Sequence, residues 1–177
     1  MSTRYAIFCI AALSALSVCA CAQAPDKALS RKQSSAASAA QDSITLENLL
    51  LWPLDEPQGT KRVTASLQRI FTMEPLQGPQ LYGKGPAHLS DGHILSFAWI
   101  RQRSNSIDIG VADKPCLPVE RAISITGATI EPTVIDQHGA DRGAKYQAER
   151  NGFSVRFETT SNDRRCVTDI HISPSPR

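Results

Sequence analysis

The sequence predicts a single α+β domain over residues 44–177, in which one or two N-terminal helices pack on an antiparallel sheet of about five strands. Three observations lead to this prediction. Apolar residues recur at helical spacing up to residue 71, and segments of two-residue alternation separated by short turns follow them. The third observation is the pair Cys116 and Cys166, which predicts that a disulfide ties a short helix to the C-terminal strand.

Two helices are predicted at the start of the domain. The segment ITLENLLLW is predicted as a short helix closed by Pro53, because proline disrupts the helical backbone. The segment TKRVTASLQRIF is predicted as an amphipathic helix that Thr60 caps and that ends before Pro75. Its apolar face consists of Val63, Leu67, Ile70 and Phe71.

Residues 75–92 contain three prolines and four glycines, which is too many for a regular element. We therefore expect a long irregular connection here. It includes His88, Asp91 and His93, which we interpret as a solvated loop with a turn at Asp91-Gly92. Metal ligation is the alternative for this trio, but the loop spacing does not match a metal-binding frame.

A β-hairpin is predicted next. His93–Arg101 is apolar on both alternating faces, as expected of a strand that is buried on both sides. Ser104-Asn105 forms the turn, and the partner strand places Ile107, Ile109 and Val111 inward.

The C-terminal third is predicted as a short helix followed by a meander. The helix spans 117–126 and ends at Gly127, although the three β-branched residues within 123–126 leave a strand open as the alternative. Asn151-Gly152 joins KYQAER to FSVRFETT in a hairpin. The last strand, CVTDIHI, places Cys166 on the same face as Ile170 and Ile172, with His171 facing outward to solvent.

The N-terminus predicts export. Arg4 precedes an apolar run over 5–18 that is too short to span a membrane, so residues 1–20 are predicted as a signal peptide. Ala20-Cys21-Ala22 fits ordinary signal peptidase, whereas Val18-Cys19-Ala20-Cys21 resembles a bacterial lipobox. The lipobox places a lipid anchor on Cys21. Residues 21–43, rich in Ala, Ser and Gln, then form a flexible tether.

Cysteine usage fits this destination. Of the five cysteines, Cys9 and Cys19 leave with the signal peptide, so the folded part keeps Cys116 and Cys166. In an oxidising compartment this pair predicts a disulfide. The predicted location is the periplasm, with the lipid anchor in the outer membrane.

Charge and motifs exclude several functions. Without Arg4 the chain has 18 basic against 17 acidic residues, so net charge gives no reason to expect nucleic acid binding. The sequence contains no G-x-S-x-G, H-E-x-x-H, phosphate-binding loop or dinucleotide fingerprint. We therefore predict no enzymatic activity, no cofactor and no metal.

A protein partner is the predicted ligand. Three polar loops, at 102–106, 136–143 and 159–165, are expected to protrude and to form the contact surface. The candidate partner-binding residues are Arg103, Asn105, Asp136, His138, Asp141, Arg142, Asp163 and Arg164.

Export, a tether, one domain and one disulfide are the organisation of small periplasmic binding proteins. We therefore expect an inhibitor or immunity-type protein that protects the cell envelope by occluding a secreted toxin or hydrolase. The alternative is a non-enzymatic accessory or structural lipoprotein of an envelope assembly or secretion machine. Both expectations rest on organisation alone.

Overall fold

The computed structural model describes residues 43–131 and 143–176, and these form an antiparallel sheet of eight strands with three helices. The α+β class is confirmed, whereas the expected number of about five strands is wrong. The helices are α1 Leu46–Asp55, α2 Gly59–Ile70 and α3 Val119–Thr126. The strands are β1 Met73–Pro75, β2 Gln80–His88, β3 Ile94–Arg101, β4 Ser106–Val111, β5 Thr129–Ile130, β6 Lys145–Arg150, β7 Phe153–Glu158 and β8 Asp169–Pro174.

The sheet consists of two four-stranded meanders. Its strand order is β1-β2-β3-β4-β8-β7-β6-β5, so each meander is continuous in the chain and the two meet where β4 pairs with β8. Each meander follows a helix after a two-residue link, α2 before β1 and α3 before β5. The described chain therefore repeats a helix-plus-four-strand unit.

The hydrophobic core lies between one face of the sheet and the helices. Four of the five leucines of α1 are fully buried, and α1 packs against α2, α3, β6 and β7. Each fully buried Leu or Ile stabilises the fold by about 1.5–3 kcal/mol. From the sheet, the core receives Ala98, Ile100, Ile107, Ile109, Val155, Phe157, Ile170 and Ile172.

Helix α1 begins at a polar cap and continues past its proline. Thr45 Oγ1 accepts a hydrogen bond from the Asn48 N–H at 3.1 Å, and Asp91 Oδ2 accepts one from the Leu46 N–H at 2.8 Å. The prediction that Pro53 closes the helix is wrong, because α1 extends to Asp55. Pro53 lies in the last turn, so its missing N–H removes a single helical hydrogen bond, the one to the Leu49 carbonyl, near the end of the helix.

Helix α2 differs from the prediction at its start. Gln58 occupies the N-cap position and Thr60 lies inside the helix, so the expected Thr60 cap is wrong. Val63 and Leu67 are buried as the periodicity predicts. The helix ends where the Phe71 N–H donates to the Leu67 carbonyl at 2.9 Å, well before Pro75.

The expected irregular connection over 75–92 is also wrong, because half of it, Gln80–His88, is β2. Its glycines allow close packing within a strand. A Cβ atom on Gly83 would lie 2.7 Å from Phe71 Cβ, and one on Gly85 would lie 2.3 Å from the Leu95 carbonyl oxygen. A shift in the β2–β3 register between Lys84 and Ala87 accommodates Pro86.

Both predicted hairpins are confirmed. Asn105 turns the β3–β4 hairpin at φ 51°, and Asn151 and Gly152 turn the β6–β7 hairpin at φ 53° and 78°. The two successive positive φ values at Asn151 and Gly152 are the geometry of a type I′ turn, which matches the twist of the paired strands.

The region around the disulfide is helical on one side and extended on the other. Residues 123–126 belong to α3, which ends at Gly127 with φ 71°, so the strand alternative is wrong. Strand β8 begins at Asp169, three residues later than predicted, while Cys166 forms an isolated bridge with Pro118.

The predicted disulfide between Cys116 and Cys166 is confirmed, with a Cα–Cα distance of 5.4 Å. It joins the segment before α3 to the segment before β8. The predicted signal peptide, all of the tether except Ser43, and the Cys21 anchor lie outside the described residues. In the described part of the chain, no helix is long and apolar enough to cross a membrane.

Replacing both cysteines, Cys116→Ala with Cys166→Ala, should lower the free energy of unfolding by about 4 kcal/mol, because the bridge closes a loop of about 50 residues in the unfolded chain. Urea denaturation of the variant and the oxidised protein measures the difference. The oxidised protein treated with reductant is the control and should match the variant. Equal midpoints in all three samples would contradict a stabilising role.

Candidate functional site

The face of the sheet opposite the helices carries half-buried aromatic and charged side chains around a shallow depression of about 420 Å³. This surface is termed the open face. It comprises Tyr82, Phe97, Trp99, Arg101, Asp108, Arg156, Glu158, Asp169 and His171. Strand alternation places them there, because the residues between them point into the core.

Five of these residues form one continuous row across the sheet. Tyr82 lies opposite Trp99, Trp99 opposite Asp108, Asp108 opposite His171, and His171 opposite Arg156. The row crosses β2, β3, β4, β8 and β7, so both meanders contribute to it. Side chains directly opposite each other on neighbouring strands are close enough to interact.

The aromatic side chains of the row are held in place. Trp99 Nε1–H donates to Gln80 Oε1 at 3.0 Å, and the Arg101 guanidinium lies 4.0 Å from the centre of the indole ring. Phe97 stacks on Tyr82 with ring centres 6.3 Å apart. The expectation that β3 is buried on both faces is therefore wrong, since Phe97 and Trp99 are only half-buried.

Asp108 lies at the centre of a polar network. Its Oδ2 is 2.6 Å from Arg101 Nη1, a contact with the distance of an ion pair but without the angles of a hydrogen bond. Its Oδ1 is 2.6 Å from His171 Nδ1. His171 faces outward as predicted, but its partner on the face is Asp108, and the side chain is 31% exposed.

Two further ion pairs lie beside this network. Arg156 Nε donates to Glu131 Oε1 at 2.9 Å, and Lys145 Nζ is 2.9 Å from Glu158 Oε1. These pairs fix the orientation of the charged groups along β5, β6 and β7. Their direct contribution to stability is small, because the side chains are about a third exposed.

Asp169 differs electrostatically from the other carboxylates of the open face. The residue as a whole is exposed, yet it lines the depression, and partial burial of its carboxyl group raises its pKa. A hydrogen bond with Thr168 opposes the rise, while the negative charges of Glu158 and Asp108 add to it.

The residues predicted to bind a partner fall at two ends of the sheet. Arg103 and Asn105 are exposed in the β3–β4 turn. Asp163 and Arg164 lie in the β7–β8 connection, at the opposite end of the strands, since Asp169 pairs with Gly110 near the far end of β4. The remaining predicted residues, Asp136, His138, Asp141 and Arg142, lie outside the described residues.

Asp163 stabilises its own loop. Its Oδ1 accepts hydrogen bonds from the Arg165 backbone N–H at 2.9 Å and from Arg165 Nε at 3.2 Å. These two interactions hold the pKa of Asp163 below its usual value. The carboxylate therefore rigidifies the turn that presents Arg164.

The histidine-containing loop has a structural role. Asp91 Oδ2 accepts a hydrogen bond from the Leu46 N–H at the start of α1, and His93 Nδ1 lies 3.1 Å from the same oxygen. The turn predicted at Asp91-Gly92 is confirmed by the φ of 88° at Gly92. Within residues 43–131 and 143–176, no three His, Cys, Asp or Glu side chains are grouped so as to hold a metal ion.

Comparisons with protein-family models, with curated proteins and with solved structures find no match to this chain. The interpretation of the open face therefore rests on its own geometry and chemistry.

Replacing Asp169 with asparagine should stabilise the protein at pH 7. Its pKa in the folded state is raised above the ordinary value of 3.8, so the folded state holds the proton more strongly than the unfolded state does. Stability is therefore lost as pH rises through the interval between the two pKa values. Thermal unfolding of Asp169→Asn should show a higher Tm than wild type at pH 7.

The same comparison at pH 3 should show nearly equal melting temperatures, because the wild-type carboxyl is then largely protonated in both states. Asp113→Asn, in the exposed loop after β4, is the matched control and should leave the Tm unchanged at both pH values. A lower Tm for Asp169→Asn at pH 7 would contradict the electrostatic interpretation.

Proposed function

We propose that this protein is a periplasmic binding protein of the inhibitor or immunity type, anchored to the outer membrane through Cys21, that protects the cell envelope by occluding a secreted toxin or hydrolase. The observation that carries the proposal is the row of aromatic and arginine side chains on the open face. Trp, Tyr and Arg are the residues that most often dominate the energy of protein–protein interfaces.

The rigidity of this row supports binding. Trp99 is fixed by Gln80 and Arg101, and Arg101 is fixed by Asp108. Side chains that are already ordered in the free protein lose little conformational entropy when a partner binds. The network therefore prepares the open face for tight association.

The dimensions of the open face also fit a protein partner. The eight strands contain 46 residues, and at about 3.3 Å per residue with about 4.8 Å between strands they cover a surface of roughly 700 Å². This area of about 700 Å² is close to the roughly 800 Å² that each partner buries in a standard interface. The shallow depression can receive a protruding side chain of such a partner.

Covalent catalysis is less well supported by the same residues. A histidine paired with a carboxylate activates a nucleophile only when a hydroxyl or thiol lies on its other side. Among the described residues, the polar contact of His171 is with Asp108, and no serine, threonine or cysteine bonds to its ring. The His171–Asp108 pair instead holds polar side chains in fixed positions on a surface that a partner can recognise.

Truncating the central aromatic residue, Trp99→Ala, should weaken binding to the captured partner about 30-fold, because a central hot-spot residue contributes about 2 kcal/mol or more. The full-length protein is used as bait in the native envelope fraction. The partner recovered at equal stoichiometry is then titrated by calorimetry and assayed for loss of its hydrolytic or toxic activity.

Ile130→Ala is the matched control, because Ile130 is a large apolar residue that is 63% exposed on the edge strand β5. This variant should bind like the wild type. Wild-type affinity in Trp99→Ala would contradict the proposed surface. Recovery of a membrane assembly with no inhibited enzyme would support the accessory lipoprotein instead.

A further inference from the structure

The two arginines that line the depression, and the neighbouring Lys145, are already engaged in ion pairs. Arg101 lies against Asp108, Arg156 against Glu131 and Lys145 against Glu158. Among the carboxylates that line the depression, Asp169 differs, since no cation of the described chain forms an ion pair with it. With His171 counted as neutral, the described residues that line the depression therefore carry one more negative than positive charge, and Asp169 is the carboxylate that has no ion pair.

Other acidic groups surround this charge. Glu158 lies directly opposite Asp169 on β7, and both Glu158 and Asp108 act on it electrostatically in the unfavourable direction. The carboxylate is also partly removed from water by burial in the depression. A cation placed beside Asp169 would relieve all of these unfavourable interactions at once.

The neighbouring strand provides an aromatic wall for such a cation. Gly110 lies between Phe97 and Asp169 in one row across the sheet. The Phe97 ring leans over Gly110, where an added Cβ atom would lie only 2.3 Å from its Cε1. Because Gly110 has no side chain, the Phe97 ring can lie over β4 and approach the Asp169 carboxylate.

We propose that this depression binds an arginine or lysine side chain of the protein partner, with the Asp169 carboxylate as its counter-ion and the Phe97 ring as its aromatic contact. The inference rests on the proposed function, because it specifies which chemical group of the partner enters the open face. A carboxylate and an aromatic ring together recognise a cation by ion pairing and by attraction to the ring face.

An anionic group would fit this depression less well. Arg101 and Arg156 are the arginines that line it, and both are engaged with carboxylates. An incoming anion would have to displace one of these carboxylates and would lie close to Asp169. The local charge therefore selects for a cation.

The test uses the peptide acetyl-Gly-Arg-Gly-amide as a probe and the same peptide with neutral citrulline in place of arginine. We expect the arginine peptide to shift the NMR resonances of Phe97 and Asp169 saturably in the purified full-length protein, and the citrulline peptide to leave them unchanged. Binding should also lower the pKa of Asp169, which carbonyl NMR follows directly. Higher salt should weaken the binding by screening.

Asp169→Asn should weaken peptide binding about tenfold, because it removes the charge but keeps the shape of the side chain. Glu74→Gln is the matched control, since Glu74 is an exposed carboxylate at the far edge, opposite Tyr82. This control changes the total charge equally and should leave binding unchanged. Phe97→Leu should weaken binding several-fold by removing the ring.

Equal binding of the arginine and citrulline peptides, or wild-type affinity in Asp169→Asn, would overturn the inference. The proposed function fails separately. If Asp169→Asn captures and inhibits the partner as the wild type does, the cation site falls and the proposed function stands. If the peptide binds at Asp169 but no enzyme is captured, the cation site stands and the proposed function falls.

Discussion

The pairing of β4 with β8 is the interaction on which the rest of the structure depends. It is the seam between the two meanders, because every other strand pairing of the described sheet lies within one meander. On the core side, the seam buries isoleucines of both strands, Ile107 and Ile109 against Ile170 and Ile172. On the other side, it brings Asp108 of one meander against His171 of the other. Core and open face are thus assembled by the same contact.

Much of the fold follows from local sequence patterns. The hairpins at Asn105 and at Asn151-Gly152 are predictable, because few residues accept positive φ and those turns require it. Strand β2 is not predictable in this way. Gly83 is present because Phe71 packs against its backbone, and a long-range contact of this kind leaves no local signal. The extension of α1 past Pro53 likewise depends on the position of the proline within the last turn.

The candidate site was less accessible to prediction than the fold. Alternation already places Asp108 and His171 outward on their own strands, but it cannot reveal that these strands, 63 residues apart in the chain, are neighbours. The polar loops were the more visible feature, and the structure puts Arg103 and Asp163 at opposite ends of the strands. The charge imbalance at Asp169 becomes apparent only when every partner of the other ionised groups is known.

The two outermost strands limit how readily copies of this protein associate through the edges of their sheets. Strand β1 has three residues and ends in Pro75, and β5 has two residues. An approaching chain therefore finds few free backbone groups with which to extend the sheet. Copies at high local concentration can then lie side by side without joining into fibrils, while the broad face of each sheet stays available.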